Sequence, residues 1–169
     1  MSPRGINMTE VRIEDKPAFL VAGQKIWISG QDNELFGNFW KESHENGLTD
    51  RLTALSGGKP GEITKSYVFG VSCVDKDPNN RAFDFYIAAE APDNVYIDSL
   101  ECREIPAAKW AIFSNKGDLP MSLVNAEMYA FMEWLPHSGF KHANAPEIEV
   151  YPASDSSLVE FWMPIQPND

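Results

Sequence analysis

The sequence predicts an α+β domain with antiparallel strands and one main helix in each half. Short stretches of alternating apolar and polar residues are separated by turn residues, which is typical of strands that form hairpins. Two longer stretches show the spacing of amphipathic helices. The order of elements, strand, helix and hairpin, occurs twice, so we expect duplicated βαββ repeats over approximately residues 8–93 and 94–166 that enclose a central ligand groove.

The first half begins with two predicted strands. After residues 1–7, which we expect to form a flexible tail, TEVRIEDK alternates between polar and apolar residues. An interruption at Asp15–Pro17 precedes a mostly apolar strand that runs through Val21.

The next predicted element is a helix. Asp32 or Asn33 can cap its first turn, and Gly47 is a natural stop. Its apolar side chains fall on one stripe, which consists of Leu35, Phe36, Phe39 and Trp40. Residues 50–64 contain three glycines and a proline, so we expect a loop there.

A hairpin completes the first half. The strands SYVFGVSCV and RAFDFYIAAEA are separated by DKDPNN, which is rich in turn-forming residues. In the second strand Phe83, Phe85 and Ile87 share one side. Tyr86 lies on the other side, where we expect it to face the groove with Glu90 near the rim.

The second half repeats this order. LECREI and KWAIFSNKG are predicted strands, and Asp118 can cap a helix that ends before Pro136. The predicted core stripe of this helix consists of Val124, Met128, Phe131 and Leu135.

The final two predicted strands, PEIEVYP and LVEFWMP, carry the candidate functional residues. Glu149 and Tyr151 share one face of the first strand, and Glu160 and Trp162 share one face of the second. If the strands pair as a hairpin, we expect both acids on one surface. A carboxylate among large apolar groups costs free energy unless it is paired, protonated or bound to a ligand, so these acids indicate a binding site.

The composition is that of one acidic globular domain over residues 1–169. Lys and Arg number 14 against 25 Asp and Glu, giving a formal net charge of −11. Neutralising phosphates requires clustered basic residues, which are absent here, so we expect no direct nucleic-acid binding. With no signal peptide and no apolar run of about twenty residues, we expect a cytoplasmic protein without membrane contact.

The sequence contains no motif for a metal or cofactor. Cys73 and Cys102 do not form a CxxC pair, and we expect both to be free thiols. We interpret the three histidines as surface or loop residues. There is no nucleophile–base pair, metal set or phosphate-binding loop, so the sequence favours a binding protein over an enzyme. We expect no cofactor.

Five segments, in this order, resemble the GyrI-like small-molecule-binding domain, which is also the effector-binding domain of AraC-type and MerR-type regulators. They are FLVAG at Phe19–Gly23, the helix residues Phe39 and Trp40, WAIFSNKG at Trp110–Gly117, WLPHSGF at Trp134–Phe140, and the ending EIEVYP with LVEFWMPI. The resemblance covers nearly the whole chain from Met8.

The resemblance implies a groove that binds hydrophobic, often cationic, compounds over aromatic rings around a buried acid. By position Glu149 is similar to that acid, with Glu160 as its neighbour and Tyr151 and Trp162 as groove walls. Trp40, Tyr86 and Trp110 are further candidates for the walls.

Several functions remain open at this stage. The first is a stand-alone module that binds or sequesters amphipathic cations. No helix-turn-helix segment occurs, so we expect that the protein is not a DNA-binding regulator by itself. The family resemblance also leaves open action through a protein partner, including inhibition of gyrase. The second is a hydrolase of reactive toxins that uses Glu149 or Glu160 as general acid or base. The third is a peptide-binding protein.

Overall fold

The computed structural model describes residues 9–29, 33–92 and 99–168, so the predicted tail and the candidate cap Asp32 lie outside the described residues. Within these ranges the chain forms nine strands and three α-helices. The strands are β1 (Glu10–Lys16), β2 (Phe19–Ile28), β3 (Phe69–Ser72), β4 (Phe83–Glu90), β5 (Glu101–Ile105), β6 (Ala108–Lys116), β7 (Phe140–His142), β8 (Glu147–Val150) and β9 (Leu158–Pro167). The helices are α1 (Asn33–Glu45), α2 (Leu48–Leu55) and α3 (Met121–Met128).

All nine strands belong to one antiparallel sheet. The order is β1-β6-β9-β8-β3-β4-β2-β5, and β7 pairs with β9 beside this path. The predicted hairpins β3–β4 and β8–β9 are both present, and the α+β class is confirmed. The division into two βαββ repeats stays a prediction. No helix in the described part of the chain is long and apolar enough to cross a membrane.

The predicted loop after α1 was wrong in its first part, because residues 48–55 form helix α2. Leu48 and Leu52, one helical turn apart, are completely buried and pack in the same cluster as Phe39 and Ile87. Gly47, with a φ of 84°, adopts the left-handed conformation at the junction between α1 and α2. It therefore ends the first helix as predicted, and the second begins at once.

The second-half helix was predicted correctly in position, and its predicted core stripe is confirmed in part. It starts at Met121 with Pro120 as its cap position, and Asp118 makes no side-chain cap. After Met128 it continues as a π-helical segment (Tyr129–Trp134) and a 3₁₀ turn. A π-helical turn contains an extra residue, so one helical spacing does not describe both parts. Phe131 and Leu135 pack against the cluster that contains the buried Ala126 and Ala130, whereas Met128, predicted in the core, is 51% exposed.

The sheet has two different faces. The helices cover one face, with Phe85, Ile87 and Ile28 beneath α1 and α2 and Phe113 and Phe161 beneath α3. On the opposite face, one continuous cluster contains residues from both ends of the sheet. Val21 and Ile105, near the β5 edge, join Trp110 and Trp162, near the β1 edge. Side chains from both ends of the sheet therefore pack against one another on this face, and we call this cluster the folded core.

The register of β8 and β9 overturns the expectation that the two acids share a surface. Glu149 pairs with Phe161, and Val150 pairs with Glu160. Directly paired residues lie on the same face and neighbours in a strand lie on opposite faces. Glu149 therefore lies on the helix-covered face, and Glu160 lies on the opposite face.

Glu160 is part of the core on that opposite face. It is 6% exposed, and it accepts hydrogen bonds from Arg12 Nη1 at 3.0 Å and from Trp162 Nε1 at 2.9 Å. The carboxylate thus satisfies a buried indole N–H and pairs with a half-exposed cation. We assign Glu160 a structural role.

This role predicts different effects of two substitutions at position 160. Glu160→Gln keeps an acceptor for Trp162, whereas Glu160→Leu leaves the indole N–H buried and unpaired at a cost of about 1–3 kcal/mol. Urea unfolding should show a clear loss of stability for Leu and a smaller loss for Gln. Equal losses for the two variants would contradict the hydrogen-bond role.

Candidate ligand-binding site

A cavity of about 1240 Å³ lies on the helix-covered face, between the helices and the sheet. Its lining comes from both halves of the chain. The aromatic members are Phe36, Trp40, Tyr67, Phe83 and Tyr151, and the aliphatic members include Ile28, Val68, Leu119, Met121, Leu123 and Val124. The charged members are Asp50, Arg81, Glu127 and Glu149.

Glu149 borders the cavity from β8. It has some surface towards the cavity and is otherwise enclosed by protein. The Tyr151 hydroxyl donates a hydrogen bond to its Oε2 atom. Burial raises the pKa of Glu149 to about 7, although this hydrogen bond acts in the opposite direction. No basic side chain pairs with Glu149 among the described residues.

Gly70 on β3 makes room for this carboxyl group. It pairs directly with Glu149, and a Cβ atom at position 70 would lie 2.5 Å from Glu149 Cγ. Such a distance is a severe overlap, so any larger residue would displace the Glu149 side chain. The strand glycine therefore fixes where the acid lies in the cavity.

Glu127 lines the same cavity from α3. Within the described part of the chain its carboxyl makes no hydrogen bond or ion pair. Burial and repulsion by Glu149 and Glu147 raise the pKa of Glu127 to about 8, and Arg81 lowers it only partly. The cavity thus contains two carboxyl groups whose charged forms are unfavourable when it is empty.

Arg81 is the one Lys or Arg residue among the described residues that line the cavity, and its positive charge is paired with Glu147. Its Nη1 and Nη2 atoms donate to the two carboxylate oxygens of Glu147 at 3.1 and 2.9 Å. His142 Nε2 lies 2.8 Å from the same carboxylate. Burial alone would raise the pKa of Glu147, but the hydrogen bonds from His142 and Arg81 hold that pKa below its usual value. Glu147 is therefore a charged partner for Arg81.

Aromatic rings form the wall beside Glu149. Trp40 from α1 meets Tyr151 edge to face, with ring centroids 5.6 Å apart and an interplanar angle of 84°. Trp40 also stacks on His44, and Phe36 packs edge to face on Phe85. The stripe predicted for α1 thus packs on the core and also contributes Phe36 and Trp40 to the cavity.

The structure brings only part of the predicted site together. Glu149, Tyr151 and Trp40 line the cavity. The other predicted site residues lie on the opposite face, in or beside the folded core, and they are Glu160, Trp162, Trp110 and Tyr86. The prediction of which residues share a face within each strand was correct. The prediction that these four residues line the same cavity as Glu149 was wrong.

Glu127, Arg81 and Gly70 were not predicted as site residues. A signal for Glu127 was present, since it is the one charged residue between Leu119 and Met132. No comparable signal marks Arg81, because its part in the site depends on a contact with Glu147, which is distant in the sequence. No group of three side chains that could hold a metal ion occurs in the described ranges.

The cavity between the helices and the sheet is of the kind that accommodates small molecules. The sequence matches the Cass2 family, described as integron-associated effector binding protein, over residues 12–165. The chain therefore belongs to this family, and the expected relation to GyrI-like effector-binding domains is confirmed. A comparison with curated proteins gave no match.

Several solved structures share the fold. SAV2435 bound to tetraphenylphosphonium has a TM-score of 0.78 at 16% identity, covering 93% of this chain and 94% of that one. An integron cassette protein from the mobile metagenome of Vibrio cholerae has a TM-score of 0.67 at 17% identity, with coverages of 92% and 95%. The C-terminal domain of EcmrR has a TM-score of 0.60 at 16% identity, with coverages of 95% and 99%.

The raised pKa of Glu149 predicts a pH-dependent stability of the empty protein. Its folded pKa of about 7 lies above the reference value of 4.5, so the folded state binds more protons over this interval and stability falls as the pH rises through it. Glu149→Gln should remove about 2 kcal/mol of the loss between pH 5 and pH 8.5, since one pKa unit corresponds to about 1.4 kcal/mol. Urea unfolding at both pH values measures this difference.

Glu133→Gln is the matched control, because Glu133 is exposed on the helical segment after α3 and does not line the cavity. Its pH dependence should equal that of the wild type. An unchanged pH dependence in Glu149→Gln would show that Glu149 is not a destabilised acid.

Proposed function

We propose that this protein binds hydrophobic cationic small molecules in the cavity, with Glu149 as the principal counter-charge. The observation that carries the proposal is the position of Glu149. Its carboxyl group borders a cavity with aromatic walls, and among the residues that the structure describes its partner is a tyrosine hydroxyl and not a basic group. A bound cation would supply the missing positive charge.

The walls favour the same type of ligand. Trp40 and Tyr151 present aromatic surface beside the carboxyl group. A cation over an aromatic face gains about 0.5–2 kcal/mol, and more as water is excluded. Apolar walls accept many shapes, whereas an acid discriminates by charge. Broad specificity with a preference for positive charge follows.

The similar fold of SAV2435, which was solved with tetraphenylphosphonium, supports this choice of ligand class. Tetraphenylphosphonium is a bulky apolar cation without hydrogen-bond donors. A ligand of this kind would rely on aromatic contact and on an opposite charge, and both are present in the cavity. We therefore propose Glu149, Tyr151 and Trp40 as ligand-contacting residues.

Thermal shift and calorimetry with tetraphenylphosphonium test the proposal at pH 8. Ligand at about a hundred times its Kd should stabilise the wild type by about 2.7 kcal/mol. Glu149→Gln should weaken binding at least about tenfold, equivalent to about 1.4 kcal/mol. Glu133→Gln should bind as the wild type does.

Triphenylphosphine oxide is a neutral compound of related shape and provides the ligand control. It should bind more weakly than the phosphonium to the wild type, and its binding should not weaken in Glu149→Gln. Equal binding of both compounds, or tetraphenylphosphonium affinity that survives Glu149→Gln, would contradict the proposal.

A further inference from the structure

We propose that Glu127 is a second cation-binding group and that it gives the cavity a preference for dications over monocations of the same shape. The inference rests on the proposed function of the cavity and specifies its ligand class. It follows from the number and placement of the charges that line the cavity.

Glu127 and Glu149 reach the same cavity from different elements. Glu149 is on β8 in the sheet, and Glu127 is on α3, which packs over the sheet beside β6 and β9. Both carboxyl groups line this cavity, and the charge of Glu149 contributes to the raised pKa of Glu127. A ligand between the sheet and the helix can therefore approach both acids at once.

Within the described ranges, neither acid forms an ion pair with a basic side chain. The one candidate, Arg81, donates both ends of its guanidinium to Glu147, and Nη1 also donates to the Pro78 carbonyl at 3.0 Å. The guanidinium carbon lies 5.5 Å from the ring centroids of both Phe83 and Phe131. These contacts hold Arg81 in place, so it cannot turn to neutralise Glu127 without breaking a buried ion pair.

The remaining charged groups at the cavity do not alter this balance. Asp50 on α2 adds a third acid, and it is exposed. His44 faces the Thr49 hydroxyl through Nδ1 at 3.2 Å and stacks on Trp40. The lining therefore contains more acidic than basic groups, and both of its enclosed unpaired charges are acidic.

A dication matches this arrangement better than a monocation. With one positive charge in the cavity, only one carboxylate is neutralised, and the other must remain protonated or stay charged without a partner. With two positive charges both carboxylates are neutralised, and each interaction is strengthened by the exclusion of water. Both acids line the same cavity, so the two positive charges need to lie within one ligand that this cavity can hold.

Methyl viologen and 1-methyl-4-phenylpyridinium form a matched pair of probes. Both consist of two linked six-membered aromatic rings, and they carry two charges and one charge respectively. Their Kd values are measured by calorimetry at pH 8.5, or by competition with tetraphenylphosphonium, in wild type, Glu127→Gln, Glu127→Asp and Glu133→Gln. Circular dichroism confirms that each variant is folded.

We expect the wild type to bind the dication about tenfold more tightly than the monocation, as one additional charge contact of about 1.4 kcal/mol would produce. Glu127→Gln should abolish this preference, because it should weaken binding of the dication about tenfold more than binding of the monocation. Glu127→Asp, which keeps the charge, should retain a preference. Glu133→Gln should behave as the wild type does.

The outcomes separate this inference from the proposed function. Equal binding of the two probes to the wild type, or a preference that persists in Glu127→Gln, would overturn the role of Glu127 and leave cation binding at Glu149 intact. If neither probe nor tetraphenylphosphonium binds the wild type, the proposed function and this inference both fail.

Discussion

The register between β8 and β9 determines the chemistry of both faces of the sheet. Because Val150 pairs with Glu160, Glu160 faces the folded core and supports Trp162, while Glu149 faces the cavity under the helices. A shift of one residue would exchange these roles and bury the wrong side chains on each face. The same pairing that stabilises the sheet thus selects the acid that a ligand can reach.

The cavity acids differ from the other buried acids in what surrounds them. Glu147 is paired with Arg81 and lies near His142, and Glu160 is paired with Arg12, so their charges are compensated within the fold. In the described part of the chain Glu149 has the Tyr151 hydroxyl as its one hydrogen-bond partner, and burial raises its pKa. Such an uncompensated acid lowers the stability of the empty protein at neutral pH, and a bound cation would remove that cost.

The sequence predicted the element types well because alternation and helical spacing are local. The hairpins, the α1 stripe and the stop at Gly47 all follow from neighbours in the chain. The errors arose where a non-local contact decides the outcome. Helix α2 depends on burying Leu48 and Leu52 in a distant core, and the exposure of Met128 depends on how α3 packs on β6 and β9.

Only part of the candidate site was predicted, again because a non-local contact decides which residues share a face. Alternation correctly grouped Glu149 with Tyr151 and Glu160 with Trp162, and the register that separates these pairs is a property of two strands together.

The most direct test of the central role of Glu149 is calorimetry of tetraphenylphosphonium binding at pH 6.5 in two buffers of different ionisation enthalpy. If a cation replaces a proton on a raised-pKa carboxyl, binding should release up to about one proton, and this release should fall in Glu149→Gln. Binding with no proton release in the wild type would contradict that role.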